Sequence, residues 1–166
     1  MGASARGSSN SGTQAAVFRI RRAVPEDFAR WQPLWDGYNA FYGRSGPAAL
    51  PPEVTETTWR RFFEAGEPMH ALVADAHGEL LGFAHHLFHR STTSIAPSCY
   101  LRDLYTSGAS RGTGVATALI DRVCDEARSA GSPNVYWQTH ENNHVARKLY
   151  DRVASPSGFI VYQKSL

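Results

Sequence analysis

Residues 98–116 read SCYLRDLYTSGASRGTGVA, and the fold turns on them. Ser98–Thr106 is rich in aromatic and apolar residues and predicts a strand. Arg111-Gly112-Thr113-Gly114-Val115-Ala116 then forms a glycine turn leading into a helix from about Gly112 to Ala130. In that helix Ala116, Leu119, Ile120, Val123, Cys124 and Ala127 fall at helical spacing and make one buried stripe. A strand, a glycine turn and a helix in this order leave the first peptide N–H groups of the helix without internal partners. Those groups, with the helix dipole, suit phosphate oxygens. A tight turn that merely uses glycine is the plain alternative. A Walker loop does not fit, since the only lysines are Lys148 and Lys164. A dinucleotide fingerprint would need Gly or Ala where the chain has Thr117.

Outward from this segment the pattern stays regular. Val17–Arg22 alternates apolar and charged residues as a half-buried strand does. Pro25 opens a helix to about Tyr42 carrying Phe28, Trp31, Leu34, Trp35 and Tyr38, and Thr55–Ala65 forms a second. His70–Asp75 and Glu79–Phe88 are strands joined by a hairpin at Ala76-His77-Gly78. Downstream, Asn134–Thr139 is a fifth strand and Asn142 or Asn143 caps a last helix to about Val153. Phe159–Lys164 is expected as a final strand. The sum is mixed α/β with four helices, without internal repeats.

The chain has 166 residues, nineteen of them aromatic (eight Phe, seven Tyr, four Trp), enough for a real core. Net charge is +2, but residues 1–22 hold four arginines and no acid, so the rest carries 13 bases against 15 acids. A nucleic-acid binder would concentrate positive charge on its folded body. Only Cys99 and Cys124 are present, which suits a reducing compartment. Met1–Ala16 is a Gly/Ser/Ala tract without a hydrophobic stretch, read as a flexible leader (1–16) before a single domain (17–166). No apolar run is long enough to span a membrane, so a cytoplasmic protein without membrane or nucleic-acid partners is expected.

Arg111, Gly114 and Ala116 match the Arg/Gln-x-x-Gly-x-Gly/Ala hallmark of the GNAT acetyltransferases, which the chain resembles from Phe18 onward in element order. The last helix repeats the family spacing Asn-x-x-Ala-x-x-Leu-Tyr as Asn143, Ala146, Leu149 and Tyr150. The resemblance implies a mixed central sheet: an antiparallel N-terminal meander, then parallel fourth and fifth strands that splay apart. Acetyl-CoA is the implied co-substrate, with no metal. Backbone groups of Leu104, Tyr105 and Thr106 would bond its pantetheine arm, one of them near Tyr105 serving as oxyanion donor. Arg111, Gly112, Thr113, Gly114, Val115 and Ala116 would hold its pyrophosphate. Asn143 would bond the arm, and Tyr150, two turns along the same face, would protonate the leaving thiolate.

The attacking amine needs a proton acceptor. Asp103 is the candidate, with its side chain on the side of Tyr105 and opposite Arg102 and Leu104. His85, His86 and His89 are alternatives. An acid occupies the position of Arg102 in related polyamine acetyltransferases, so a cation there argues against polycationic acceptors. Further stretches, including residues 35–43, resemble a histone acetyltransferase-like or D-amino-acid N-acetyltransferase-like subgroup. Tyr38, Tyr42 and the 43–52 loop are therefore substrate-pocket candidates. The implied reaction is acetyl transfer to a small amine or amino acid by direct attack in a ternary complex, with a homodimer as a possible assembly. Three rivals stand beside it: a protein or histone lysine acetyltransferase, an inactive CoA-binding domain, and a zinc hydrolase using His140-Glu141-x-x-His144.

Overall fold

Side-chain alternation sorts the strand residues into two layers. The computed structural model describes residues 17–166; the leader read at 1–16 lies outside the described residues. The elements are β1 (Arg19–Arg22), α1 (Phe28–Phe41), α2 (Pro52–Arg61), β2 (Met69–Ala76), β3 (Glu79–His89), β4 (Ser98–Thr106), α3 (Val115–Ser129), β5 (Val135–Tyr136) and α4 (His144–Val153). The sheet order is β1-β2-β3-β4-β5, antiparallel through β4 and parallel between β4 and β5. Leu72, Ala74, Leu81, Ala84, Cys99 and Leu101 pack on the α3 stripe of Val115, Leu119, Ile120, Val123 and Ala127. Val73, Leu80 and Phe83 face the other way, onto Trp31, Leu34, Trp35 and Tyr38 of α1 and Trp59 of α2. With both faces covered, the middle strands are almost continuously buried.

β4 carries an irregularity that matters for the site. Its ladder with β3 pairs His85 with Asp103 and His86 with Leu101, so Arg102 is an extra residue. Leu101 and Leu104 therefore both reach the α3 layer, while Asp103 and Tyr105 face α1. The sequence reading placed Arg102 opposite Asp103, but the bulge brings it to the same side. Its guanidinium lies 6.0 Å from the centroid of the Tyr100 ring.

Two strand boundaries differ from expectation. β5 spans two residues rather than six, because the chain leaves β4 after Tyr136. Phe159–Lys164 forms no strand among the described residues. Its β-branched and aromatic residues favour a strand, but the segment has no ladder to join. α2 starts three residues earlier than read, with Pro52 at its first position, where a missing N–H costs nothing.

The arginines of β1 tie the layers together. Arg21 bonds buried Asp27 at 2.6 and 2.9 Å and Asp75 at 2.8 Å. Arg22 forks onto Glu126 of α3 at 3.0 and 2.9 Å. Burial works against the charge on Glu126, but the His86 ring and the Arg22 fork outweigh it and hold the carboxyl down to about 2, against an ordinary 4.5. A depressed carboxyl stabilises the fold above its unfolded value and loses that contribution as pH falls through the folded one. Glu126→Gln is therefore expected to lower Tm by several degrees at neutral pH. In thermal scans the gap to the parent should close as pH drops from 4.5 toward 2. A gap independent of pH would contradict this assignment.

Candidate active site

β4 and β5 stay paired only at Cys99–Val135 and Tyr100–Tyr136. Beyond that point β5 gives way to loop, and one edge of β4 from Leu101 onward has no neighbouring strand. A groove of about 690 Å3 opens there, between the end of α1, the mouth of α3 and the inner face of α4. A second hollow of about 810 Å3 lies beside β1, but its Arg21, Arg30 and Asp75 are already ion-paired. The chemistry sits in the first.

The floor is the loop after β4. Gly112 and Gly114 adopt φ of 76° and 88°, in the left-handed region that favours glycine. Gly114 caps α3, and the first intrahelical bond runs from Ala118 N–H to Gly114 O at 3.0 Å. The N–H groups ahead of Ala118 thus point out of the helix mouth. A Cβ built on either glycine would meet no atom within 4 Å, so the peptide plane is open to a ligand. The Thr113 hydroxyl donates to Ser110 O at 2.7 Å and fixes the loop. Arg111, Lys148 and Arg152 also line the groove, adding positive charge where phosphates would lie. The residues present fit a diphosphate-bearing donor.

Leu104, Tyr105, Thr106, Arg111, Gly112, Gly114, Val115, Ala116, Asn143, Tyr150, Tyr38 and Tyr42 all border this groove. Thr113 braces the loop from behind. Val115 lends only backbone, since its side chain is fully buried in the α3 layer. The Tyr105 ring packs against α1, with its hydroxyl 2.5 Å from where a Cβ on Gly37 would stand. Asn143 caps α4 by accepting from Ala146 N–H at 3.3 Å, and its amide donates to Thr139 Oγ1 at 3.3 Å. Both its polar ends are thus engaged within the chain. Burial pushes the Tyr150 phenol up to about 12, so it stays protonated at neutral pH. Its ring stands edge-on to Trp137, with centroids 5.4 Å apart.

Asp103 lies behind Tyr38. The Tyr38 hydroxyl donates to Asp103 Oδ1 at 2.6 Å, and His85 Nδ1 is 3.0 Å from Oδ2. Trp31 Nε1–H donates to His85 Nε2 at 3.1 Å. Indole nitrogen can only donate, so Nε2 is the acceptor and the proton of His85 sits on Nδ1, facing Asp103. Burial lowers the His85 pKa and keeps the ring neutral, against the pull of Asp103. Burial opposes the charge of Asp103, but the bonds from His85 and Tyr38 and the nearby Arg102 prevail and hold it below its usual range. Burial, aided by the Asp103 charge, raises the Tyr38 phenol well above normal. A single, largely covered anion thus lies behind a tyrosine oxygen. Sequence reading found Asp103 and Tyr38 separately; their bond and the lock from Trp31 depend on residues 54 and 65 positions apart.

His140 and His144 lack zinc-protease geometry. His140 sits in the loop before α4, its Nδ1 3.3 Å from Asn142 N, and the helix begins only at His144. They do not share one turn of a continuous helix, as that pattern requires.

The model of the acetyltransferase (GNAT) family matches residues 31–154. The D-amino-acid N-acetyltransferase HPA3 of Saccharomyces cerevisiae is 34% identical over 148 residues, covering 88% of this chain and 89% of that protein. Among solved structures, a ribosomal-protein-alanine N-acetyltransferase from Brucella melitensis biovar Abortus 2308 superposes with a TM-score of 0.73 at 21% identity. It covers 90% of this chain and 99% of that one. An aminoglycoside N-acetyltransferase in complex with CoA superposes with a TM-score of 0.77 at 16% identity, covering 93% and 98%. These two likenesses concern the fold.

Proposed function

The chain belongs to the acetyltransferase (GNAT) family and is an N-acetyltransferase; on that premise we propose that it moves the acetyl group of acetyl-CoA onto the primary amine of an amino acid or related small amine. Attack is direct, within a ternary complex. One arrangement carries this reading: open peptide N–H groups at the mouth of α3 and the half-buried Tyr150 border one groove, with the Tyr38–Asp103 pair at its α1 side. The relative that acts on D-amino acids supports the acceptor class.

Acetyl-CoA, when bound, supplies a thioester activated toward amines. Arg111 and the N–H groups of residues 112–116 hold its phosphates, and the free edge of β4 at Leu104, Tyr105 and Thr106 holds its amide arm. Asn143 shapes the wall from the start of α4. Tyr38 orients the amine through its oxygen lone pair, because its own hydrogen is committed to Asp103. As the N–C bond forms, the surplus amine proton passes to Tyr38 Oη while that oxygen's proton moves to Asp103 Oδ1. His85 donates to Oδ2 and keeps the carboxylate anionic until then. Tyr150 gives its Oη proton to the departing sulfur.

We also propose self-association. Phe159, Ile160, Val161 and Tyr162 are 92%, 72%, 65% and 88% exposed, an apolar run that a second copy would cover.

A screen of acetyl-CoA consumption over both enantiomers of amino acids, simple amines, polyamines, aminoglycosides and histone peptides tests the acceptor class. Amino acids or small amines should be used best; a preference for peptides would favour a protein substrate instead. Tyr150→Phe is expected to lower kcat by roughly 10²- to 10⁴-fold, with a much smaller change in acetyl-CoA affinity. Equal turnover in the variant would remove Tyr150 from the mechanism. Light scattering on the purified chain should give twice its 18.3 kDa mass, and truncation after Ser157 should halve it. A full-length monomer at high concentration would refute self-association.

A further inference from the structure

Arg44 is held in place at two points, and the fork of its guanidinium is left over. α1 ends in a left-handed turn at Gly43, φ 77°. Gly43 N–H donates to Ala40 O at 3.0 Å and Arg44 N–H to Asn39 O at 2.9 Å, the paired bonds of a Schellman end. The side chain is fixed as well. Arg44 Nε donates to Asn39 Oδ1 at 2.7 Å, and Asn39, itself buried, is oriented by its Nδ2 bond to Trp35 O at 2.8 Å. The guanidinium carbon then lies 5.3 Å from the Tyr42 ring centroid and 5.9 Å from that of Tyr38. Among the described residues, no carboxylate pairs with Arg44, and its two terminal nitrogens make no hydrogen bond. Arg21, Arg22, Arg30, Arg60, Arg61, Arg122 and Arg128 all face acids.

The acceptor side therefore shows two opposite charges across one tyrosine. Asp103 lies behind the Tyr38 hydroxyl, and the Arg44 fork lies over the Tyr38 and Tyr42 rings. A fixed planar fork recognises a carboxylate through two parallel bonds. An α-amino acid carries an amine and a carboxylate on one carbon, the same pair of charges in complementary order. Resting on the proposed transfer to a small amine, we infer that the two terminal nitrogens of Arg44 form a carboxylate subsite, which selects α-amino acids over amines without a carboxylate.

The test compares the best amino-acid acceptor with its decarboxylated amine, in the parent enzyme and in Arg44→Gln and Arg44→Lys. The parent should prefer the amino acid. Arg44→Gln should reduce the ratio of kcat/KM for amino acid over amine by roughly 10- to 100-fold, mostly through KM, as loss of a charge-assisted bond implies. Arg44→Lys, which keeps the charge but not the fork, should fall between. Thermal melts and acetyl-CoA affinity of each variant separate this effect from misfolding. An unchanged ratio in Arg44→Gln, or equal losses for both acceptors, overturns the subsite. A parent enzyme that prefers the decarboxylated amine also overturns it but leaves acetyl transfer to small amines intact. Binding of acetyl-CoA without turnover of any amine would instead sink the proposed reaction itself.

Discussion

Two residue pairs hold β4 to β5, and everything functional lies past the point where that pairing stops. Backbone N–H and C=O groups are obligatory bonding groups, so a strand edge left open inside a fold must be satisfied by something. Here the opening is flanked by the mouth of α3 on one side and by Tyr150 on α4 on the other. The two layers beneath keep the edge from collapsing. α3 is held against the sheet by its apolar stripe and, toward its C-terminal end, by the Arg22–Glu126 fork.

The acceptor side is organised by a different means, a largely covered anion with its hydrogen bonds assigned. Asp103 accepts from a phenol on one oxygen and faces an imidazole N–H on the other, and Trp31 settles which imidazole nitrogen carries the hydrogen. A lone carboxylate at that depth would take up a proton. With two donors in place it stays charged, and Tyr38 presents the effect of that charge at the groove wall.

Much of this was legible in the sequence, for a physical reason. Glycines at a strand–helix junction and an apolar stripe of period 3.6 are local signals. Gly112, Gly114 and the α3 residues could therefore be read directly, while Asn143 and Tyr150 were singled out through the family resemblance, their spacing giving only a shared helix face. What could not be read was set by partners distant in the chain. The shortness of β5 follows from where β4 turns away, and the unpaired run at Phe159–Lys164 follows from the lack of a ladder to meet it. The role of Arg44 depends on Asn39 and two tyrosine rings, of which only the Gly43 helix stop leaves a mark in the sequence. The bulge at Arg102 left none, since a strand of that composition looks the same with or without an extra residue.

That extra residue works as a half-period phase shift in the pleat. Upstream of it, odd-numbered positions of β4 point to the α3 layer; downstream, odd-numbered positions point to α1. One strand can thus give Cys99 and Leu101 to one core and Asp103 and Tyr105 to the other. Were Arg102 paired as an ordinary member of the strand, alternation would run uniformly and the carboxylate would land among the leucines of α3 rather than behind Tyr38; deleting it would leave Asp103 facing α1. The facing of Asp103 thus depends on Arg102 staying outside the ladder, whatever side chain stands at position 102.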